Sequence, residues 1–144
     1  MKILFLSYRN CCRSQIAESI LRSMDKSLEI YSAGIDPAPE INPVAIEVMK
    51  ETGISIRIKK PAGYQEVMNM EFDYLITVGD NTQDDLKLPF FKFKRKMHLG
   101  FHNPFAGSND LISVKERCRE IRDEIYIEME YFYNRILKPT LKDS

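Results

Sequence analysis

The chain has 144 residues, with 21 lysines and arginines against 21 aspartates and glutamates. That is the length of one domain (1–144) burying about two thirds of its unfolded surface, and the charge balance steers it toward neither nucleic acid nor an acidic membrane. The apolar run Ile3–Leu6 is too short for a signal peptide or a membrane span, and three cysteines, two adjacent, make no disulfide framework and suit a reducing compartment, so a cytoplasmic protein is expected.

In chain order, strands are expected near Lys2–Ser7, Glu29–Ser32, Phe72–Val78 and Met97–Leu99, with helices from Ser14, from Asn42 and from Asn109 to about Leu137. Strand and helix alternate, which implies an α/β fold: a four-stranded parallel sheet with helices on both faces and ligands at the carboxyl ends of the strands. Gly53 is expected to end the second helix. Lys92-Phe93-Lys94-Arg95-Lys96 reads as a solvated edge ahead of the fourth strand. The last helix, apolar at Leu111, Ile112, Ile121, Ile125, Ile127 and Met129, is expected to cover the sheet, with Met68, Met70, Tyr126, Tyr131, Phe132 and Tyr133 as packing residues.

The segment Ile3 to Ser14 carries the chemistry. A buried strand, a tight polar loop and a helix start bring loop N–H groups and the first helical turn to one point, which favours an anion. Arg13 adds a planar fork of donors suited to a tetrahedral oxyanion, and Ser14 is expected to cap the helix. The loop residues Ser7, Tyr8, Arg9, Asn10, Cys11, Cys12, Arg13 and Ser14 are therefore the candidate phosphate-binding set. Spacing alone is equally compatible with an ordinary strand-to-helix turn bearing a surface arginine.

These residues resemble the signature loop of the low-molecular-weight protein tyrosine phosphatase and thioredoxin-coupled arsenate reductase family. Further segments resemble it in order: Tyr31-Ser32-Ala33-Gly34-Ile35, Asn42-Pro43 to Gly53-Ile54, Phe72 to Val78, and His98 to Pro104. The resemblance implies a Rossmann-like three-layer phosphatase fold, an oxyanion ligand carried free or on a phosphorylated protein, and catalysis by a cysteine with an aspartate before a proline as general acid.

Against that pattern, Ser7 stands where the resemblance places the nucleophilic cysteine and Asn103 where it places the general acid, so the candidate catalytic set is Ser7, Arg13 and Asn103. A thiol near pKa 8.5 ionises under the pull of loop amides and an arginine, whereas a serine needs a neighbouring base. An amide donates no proton to an alkoxide, and losing general-acid help costs about 10² to 10⁴ in rate. The expectation is an oxyanion binder that is catalytically impaired or inactive; the alternative is an enzyme of altered mechanism using Ser7 with His102.

Cys11 and Cys12 start no Cys-x5-Arg frame and read as small apolar residues, with a redox role or a soft metal as lesser options. The resemblance implies two relay cysteines after the third strand for arsenate reduction, and Val78 to Asp85 contains none. It also implies a potassium site in some members; Asn10, Glu18 and Ser32 match three of its donors, but the fourth falls among the basic residues Arg57 to Lys60, so no metal and no cofactor is expected. Arg9, where the family has glycine, either adds a second positive group to the anion site or points to solvent. Tyr8 walls the pocket or packs on the strand end.

Overall fold

The run Lys2–Ser7 is apolar on both faces of a strand, so it folds only where both faces are covered. The structure is a computed structural model that describes residues 1–57, 59–80, 90–107 and 109–142. β1 (Lys2–Ser7) leads through α1 (Arg13–Met24) to β2 (Glu29–Gly34) and α2 (Pro43–Lys50), then through a 3-10 turn at Tyr64–Glu66 to β3 (Glu71–Gly79) and β4 (Lys92–Gly100). The chain closes with α3 (Leu111–Tyr131), a π-helical stretch Phe132–Leu137 and α4 (Lys138–Lys142). The strands pair in parallel in the order β2-β1-β3-β4, the expected four-stranded sheet.

Side-chain alternation sorts β1 between two layers. Ile3 and Phe5 pack with Tyr74, Ile76 and Val78 beneath α1, α2 and α3, while Leu4 and Leu6 pack with Ala33, Leu75, Val67 and Phe91 on the other face, where Tyr64 of the 3-10 turn also packs. Asn42 caps α2 by accepting from the Val44 N–H at 2.9 Å, ahead of Pro43 in the first turn. Gly53, at φ +79°, turns the chain away just beyond that helix, as expected.

The last helix differs from its sequence reading. Its buried stripe is Val114, Cys118, Ile121, Ile125 and Met129, continued by Phe132 and Leu137 in the π-helical stretch. Leu111, Ile112, Ile127, Tyr126 and Tyr131 are exposed; they lie off the 3.6-residue stripe that contacts the sheet. The fourth strand is also longer than expected. It starts at Lys92, so the basic cluster lies within the strand rather than ahead of it. As an edge strand, β4 keeps residues Lys92 to Lys96 largely in solvent, and such charges discourage edge-to-edge pairing.

The strand order reverses beside β1, so the residues following β1, β3 and β4 gather at one end of the sheet. Among the described residues, no helix is long and apolar enough to cross a membrane.

Candidate functional site

The loop after β1 is held from outside by its carbonyls. Six consecutive C=O groups, Ser7 to Cys12, each accept a hydrogen bond: from the N–H of Ile35, Asp36 and Ala38, from the Gln15 amide, and from the N–H of Asn42 and Ile16, at 2.9 to 3.1 Å. With the oxygens bound outward, the loop's N–H groups are left for its inner side. Among the described residues, those of Arg9, Cys11 and Cys12 donate to no backbone carbonyl, and Arg13 and Ser14 open α1, where the first N–H groups have no intrahelical partner.

Asn10 sets the loop's shape. It sits at φ +53°, a left-handed conformation that asparagine tolerates better than most residues. Its N–H donates to Ser7 Oγ at 3.0 Å and its Nδ2 donates to Ser14 Oγ at 3.0 Å, while its Oδ1 accepts from Gln15 and from the Ala62 N–H. Ser7 and Ser14 share a 2.9 Å hydrogen bond. Ser14 therefore lies inside the helix and faces the loop, contrary to the expected capping role; Cys12 takes the cap position and makes no side-chain cap bond. Gly34 lets β2 approach this closely, since a Cβ there would lie 3.0 Å from the Tyr8 carbonyl oxygen and 3.1 Å from the Asn10 Cβ.

Arg13 spans the ends of two strands. One terminal nitrogen donates to the Phe101 carbonyl at 2.7 Å and pairs with Asp80 at 3.2 Å. Asp80 was not among the sequence candidates, although its place at the carboxyl end of β3 is a usable signal. Its carbonyl meets His98 Nε2 at 3.1 Å, and His98 Nδ1 meets Thr77 Oγ1 at 2.8 Å. Both ring nitrogens are thus engaged.

Residues Ser7 to Ser14 line one pocket of about 540 Å³ together with Val78, Gly79, Asp80, His98, Asn103, Pro104 and Phe105. The structure so brings together Ser7, Tyr8, Arg9, Asn10, Cys11, Cys12, Arg13, Ser14 and Asn103. His102, the base of the alternative mechanism, is exposed and does not line the pocket. Asn103 Oδ1 accepts from the Phe105 N–H at 3.0 Å and shapes the turn that carries it.

Arg9 lines the pocket and is half exposed in a surface ion pair. It donates to Asp36 Oδ2 and to the Asp36 carbonyl, both at 2.9 Å, pinning the loop to the turn after β2. Its φ is not positive, so a side chain is accommodated. Burial pushes the Cys11 thiol up against the pull of Arg9 and Arg13, which makes it a poor thiolate.

Behind the loop, the fully buried Glu18 accepts from Ser32 Oγ and Lys59 Nζ at 2.6 Å each and from Arg22 at 2.7 Å. Burial works to raise this carboxyl, but the bond and charge of Lys59, with Ser32 and Arg22, hold it below its ordinary value. Two of the three donors that resembled a potassium site meet here, while Asn10 turns its oxygen to Gln15 and Ala62. A lysine ammonium supplies the positive charge, so this donor set does not fit a metal ion.

Residues 2–140 match the family profile described as low molecular weight phosphotyrosine protein phosphatase. The chain belongs to this family. A Staphylococcus aureus (strain bovine RF122 / ET3-1) protein named arsenate reductase is 33% identical over 135 residues, covering 92% of this chain and 96% of that one. A crystal structure of arsenate reductase from Archaeoglobus fulgidus is similar at a TM-score of 0.67 and 26% identity, over 89% of this chain and 98% of its own. A mutant YwlE arginine phosphatase with a phosphorylated active site serine shares the fold at a TM-score of 0.61 and 19% identity, over 94% and 98%.

Proposed function

We propose that this member of the family is an oxyanion receptor, holding phosphate or the phosphoryl group of a phosphorylated protein against the amides of Arg9 and residues 11–14 and the Arg13 side chain, with turnover lost or impaired. The observation that carries the reading is the surroundings of Ser7 Oγ. Its hydrogen-bond partners are the Asn10 N–H and the Ser14 hydroxyl, neither of which removes a proton at neutral pH. A thiol in that place ionises under the loop amides and Arg13; a hydroxyl, with a far higher pKa, needs a base to accept its proton during attack. Asn103 offers an amide where a leaving group needs an acid. A phosphoryl group that did reach Ser7 Oγ would form a phosphomonoester, and the phosphorylated serine of the YwlE mutant supports the view that such an ester persists on this fold.

A second reading, an active arsenate reductase or phosphatase of altered mechanism built on Ser7 and His102, is favoured by the naming of the relatives at 30% identity and above. Direct measurement of inorganic phosphate binding and of aryl phosphate and arsenate turnover separates the two. For the first reading, the unaltered chain binds phosphate and turns over at background, Ser7→Cys gains hydrolysis, and adding Asn103→Asp raises it by about 10² to 10⁴. Turnover by the unaltered chain that is abolished by Ser7→Ala or His102→Ala establishes the second.

A further inference from the structure

The two edges of the sheet are finished differently. At the β2 edge the Gly34 N–H donates to the Ala62 carbonyl at 2.8 Å, and Arg22 donates to the Ile30 carbonyl at 3.2 Å, so neighbouring groups already occupy it. At the opposite edge β4 runs for nine residues, and among the described residues its main packing partner is β3. A strand so placed turns the N–H and C=O of every second residue away from the sheet. The side chains of Lys92 to Lys96 are all exposed.

The order of those side chains is specific. Lys92, Lys94 and Lys96 hold alternate positions and share a face, while Phe93 and Met97, with Arg95 between them, hold the intervening ones. On the lysine face β3 already answers with acid: Glu71 stands opposite Lys92, and Asp73 Oδ1 pairs with Lys94 at 3.3 Å. Opposite Lys96 stands Leu75. Acid thus meets these lysines from the β3 side only, and Arg95 adds a further positive charge opposite Tyr74. The chain's charges balance overall, so this edge concentrates one sign. Phe93, 41% exposed, leaves an aromatic surface among the cations.

We propose that the outer edge of β4 is a docking edge for an extended segment of a partner protein in which acidic and apolar residues alternate, added to the sheet as a fifth strand. Charge complementarity names the occupant. Acidic residues at alternate positions extend outward the pairing that Glu71 and Asp73 make inward, and the apolar residues between them lie along Phe93 and Met97. The backbone of the segment takes the free N–H and C=O groups of the edge, and its side chains set the choice of partner. Like charges exclude a second copy of the same edge. The lysines that guard β4 against its own kind therefore select a strand of opposite charge.

The experiment uses the full chain and a blocked peptide, matched in length to the nine residues of β4, that alternates glutamate and valine. Binding is read by fluorescence anisotropy of the labelled peptide and by amide hydrogen exchange. The expected result is saturable binding at low ionic strength, slower exchange along β4 with β2 unchanged, and affinity about tenfold weaker in molar salt. Lys92→Gln combined with Lys96→Gln is expected to weaken binding about fivefold while keeping the cooperative unfolding transition of the unaltered chain. A lysine and valine peptide is expected not to bind.

No binding of the glutamate peptide, equal binding of the lysine peptide, or protection that appears away from β4 overturns the proposal. Undiminished binding of the glutamate peptide N-methylated at every residue, which has no N–H to give the edge, overturns the added strand and leaves charge attraction alone. A chain that dimerises by itself with protection along β4 makes a second copy the occupant and overturns the acidic partner. None of these readouts depends on the loop after β1 holding an anion.

Discussion

Two clusters in this molecule use the same parts, a glutamate held by two basic side chains, and behave as opposites. Glu18 is fully buried behind the loop that follows β1 and binds Lys59, Arg22 and Ser32. Glu51 lies at the end of α2, where Arg119 and Arg122 of α3 grip it at 2.8 to 3.2 Å. Around Glu18 water is excluded, so each partner compensates a charge that has lost its hydration. Around Glu51 water and ions compete with the arginines, and the pair is screened. Similar sets of partners, at 2.6 to 2.7 Å around Glu18 and 2.8 to 3.2 Å around Glu51, thus carry unequal weight.

The largest effect is expected from emptying one side of the buried cluster. Lys59→Met leaves Glu18 with Arg22 and Ser32 and removes its shortest cationic contact. Loss of about 3 kcal/mol in urea unfolding is expected, undiminished by molar salt. A loss that disappears in salt would place Glu18 in the same class as Glu51.

Next comes the contact joining this cluster to the loop. β2 supplies Ser32 to Glu18 and, two residues on, Gly34 to the back of the loop. In Gly34→Ala the new Cβ meets backbone at 3.0 Å, which cannot rotate away as a side chain tip would. Destabilisation of about 1 to 3 kcal/mol is expected, together with weaker phosphate binding, read by urea unfolding and calorimetry. Full phosphate affinity in this variant would separate the loop from the structure behind it.

The buried parts of this comparison were legible in unequal measure from the sequence. The loop could be read because its donors are contiguous: Ser7, Asn10, Arg13 and Ser14 occur within eight residues, and β1 before them is an unbroken apolar run. Contacts between distant segments could not. Asp80 reaches Arg13, and Asp36 reaches Arg9, across 67 and 27 positions, and no local period records such pairings. β4 extends beyond what its sequence pattern suggests because an edge strand exposes its side chains and so carries charge where an interior strand carries valine or leucine. Ser14 departs from the capping role its position suggests: a serine at a helix start ordinarily caps it, while here the hydroxyl is committed to Asn10 and Ser7.

Acid separates the clusters more finely. Glu18 has its carboxyl lowered on folding, so its contribution is complete above the ordinary glutamate value of about 4.3 and is lost as pH falls through the lowered one. In Lys59→Met the largest opposing influence on burial is gone, and the acid transition, followed by circular dichroism, is expected at higher pH than in the unaltered chain. An unchanged midpoint would mean that Arg22 and Ser32 suffice.

The smallest effect is expected at Glu51. The hydrogen bonds of Arg119 and Arg122 pull its carboxyl to about 2, so the group contributes above the ordinary glutamate range and loses that contribution as pH falls toward 2. Glu51→Gln keeps the shape and removes the charge. Its melting temperature is expected slightly below that of the unaltered chain near neutral pH in low salt, with the gap closing in molar salt and closing again near pH 2, where the glutamate is itself half neutral. Scanning calorimetry at the two salt concentrations measures this. A gap that persists in salt would mean that the grip of α3 on α2 excludes water as effectively as the burial of Glu18 does, and exposure alone would no longer explain the difference between the clusters.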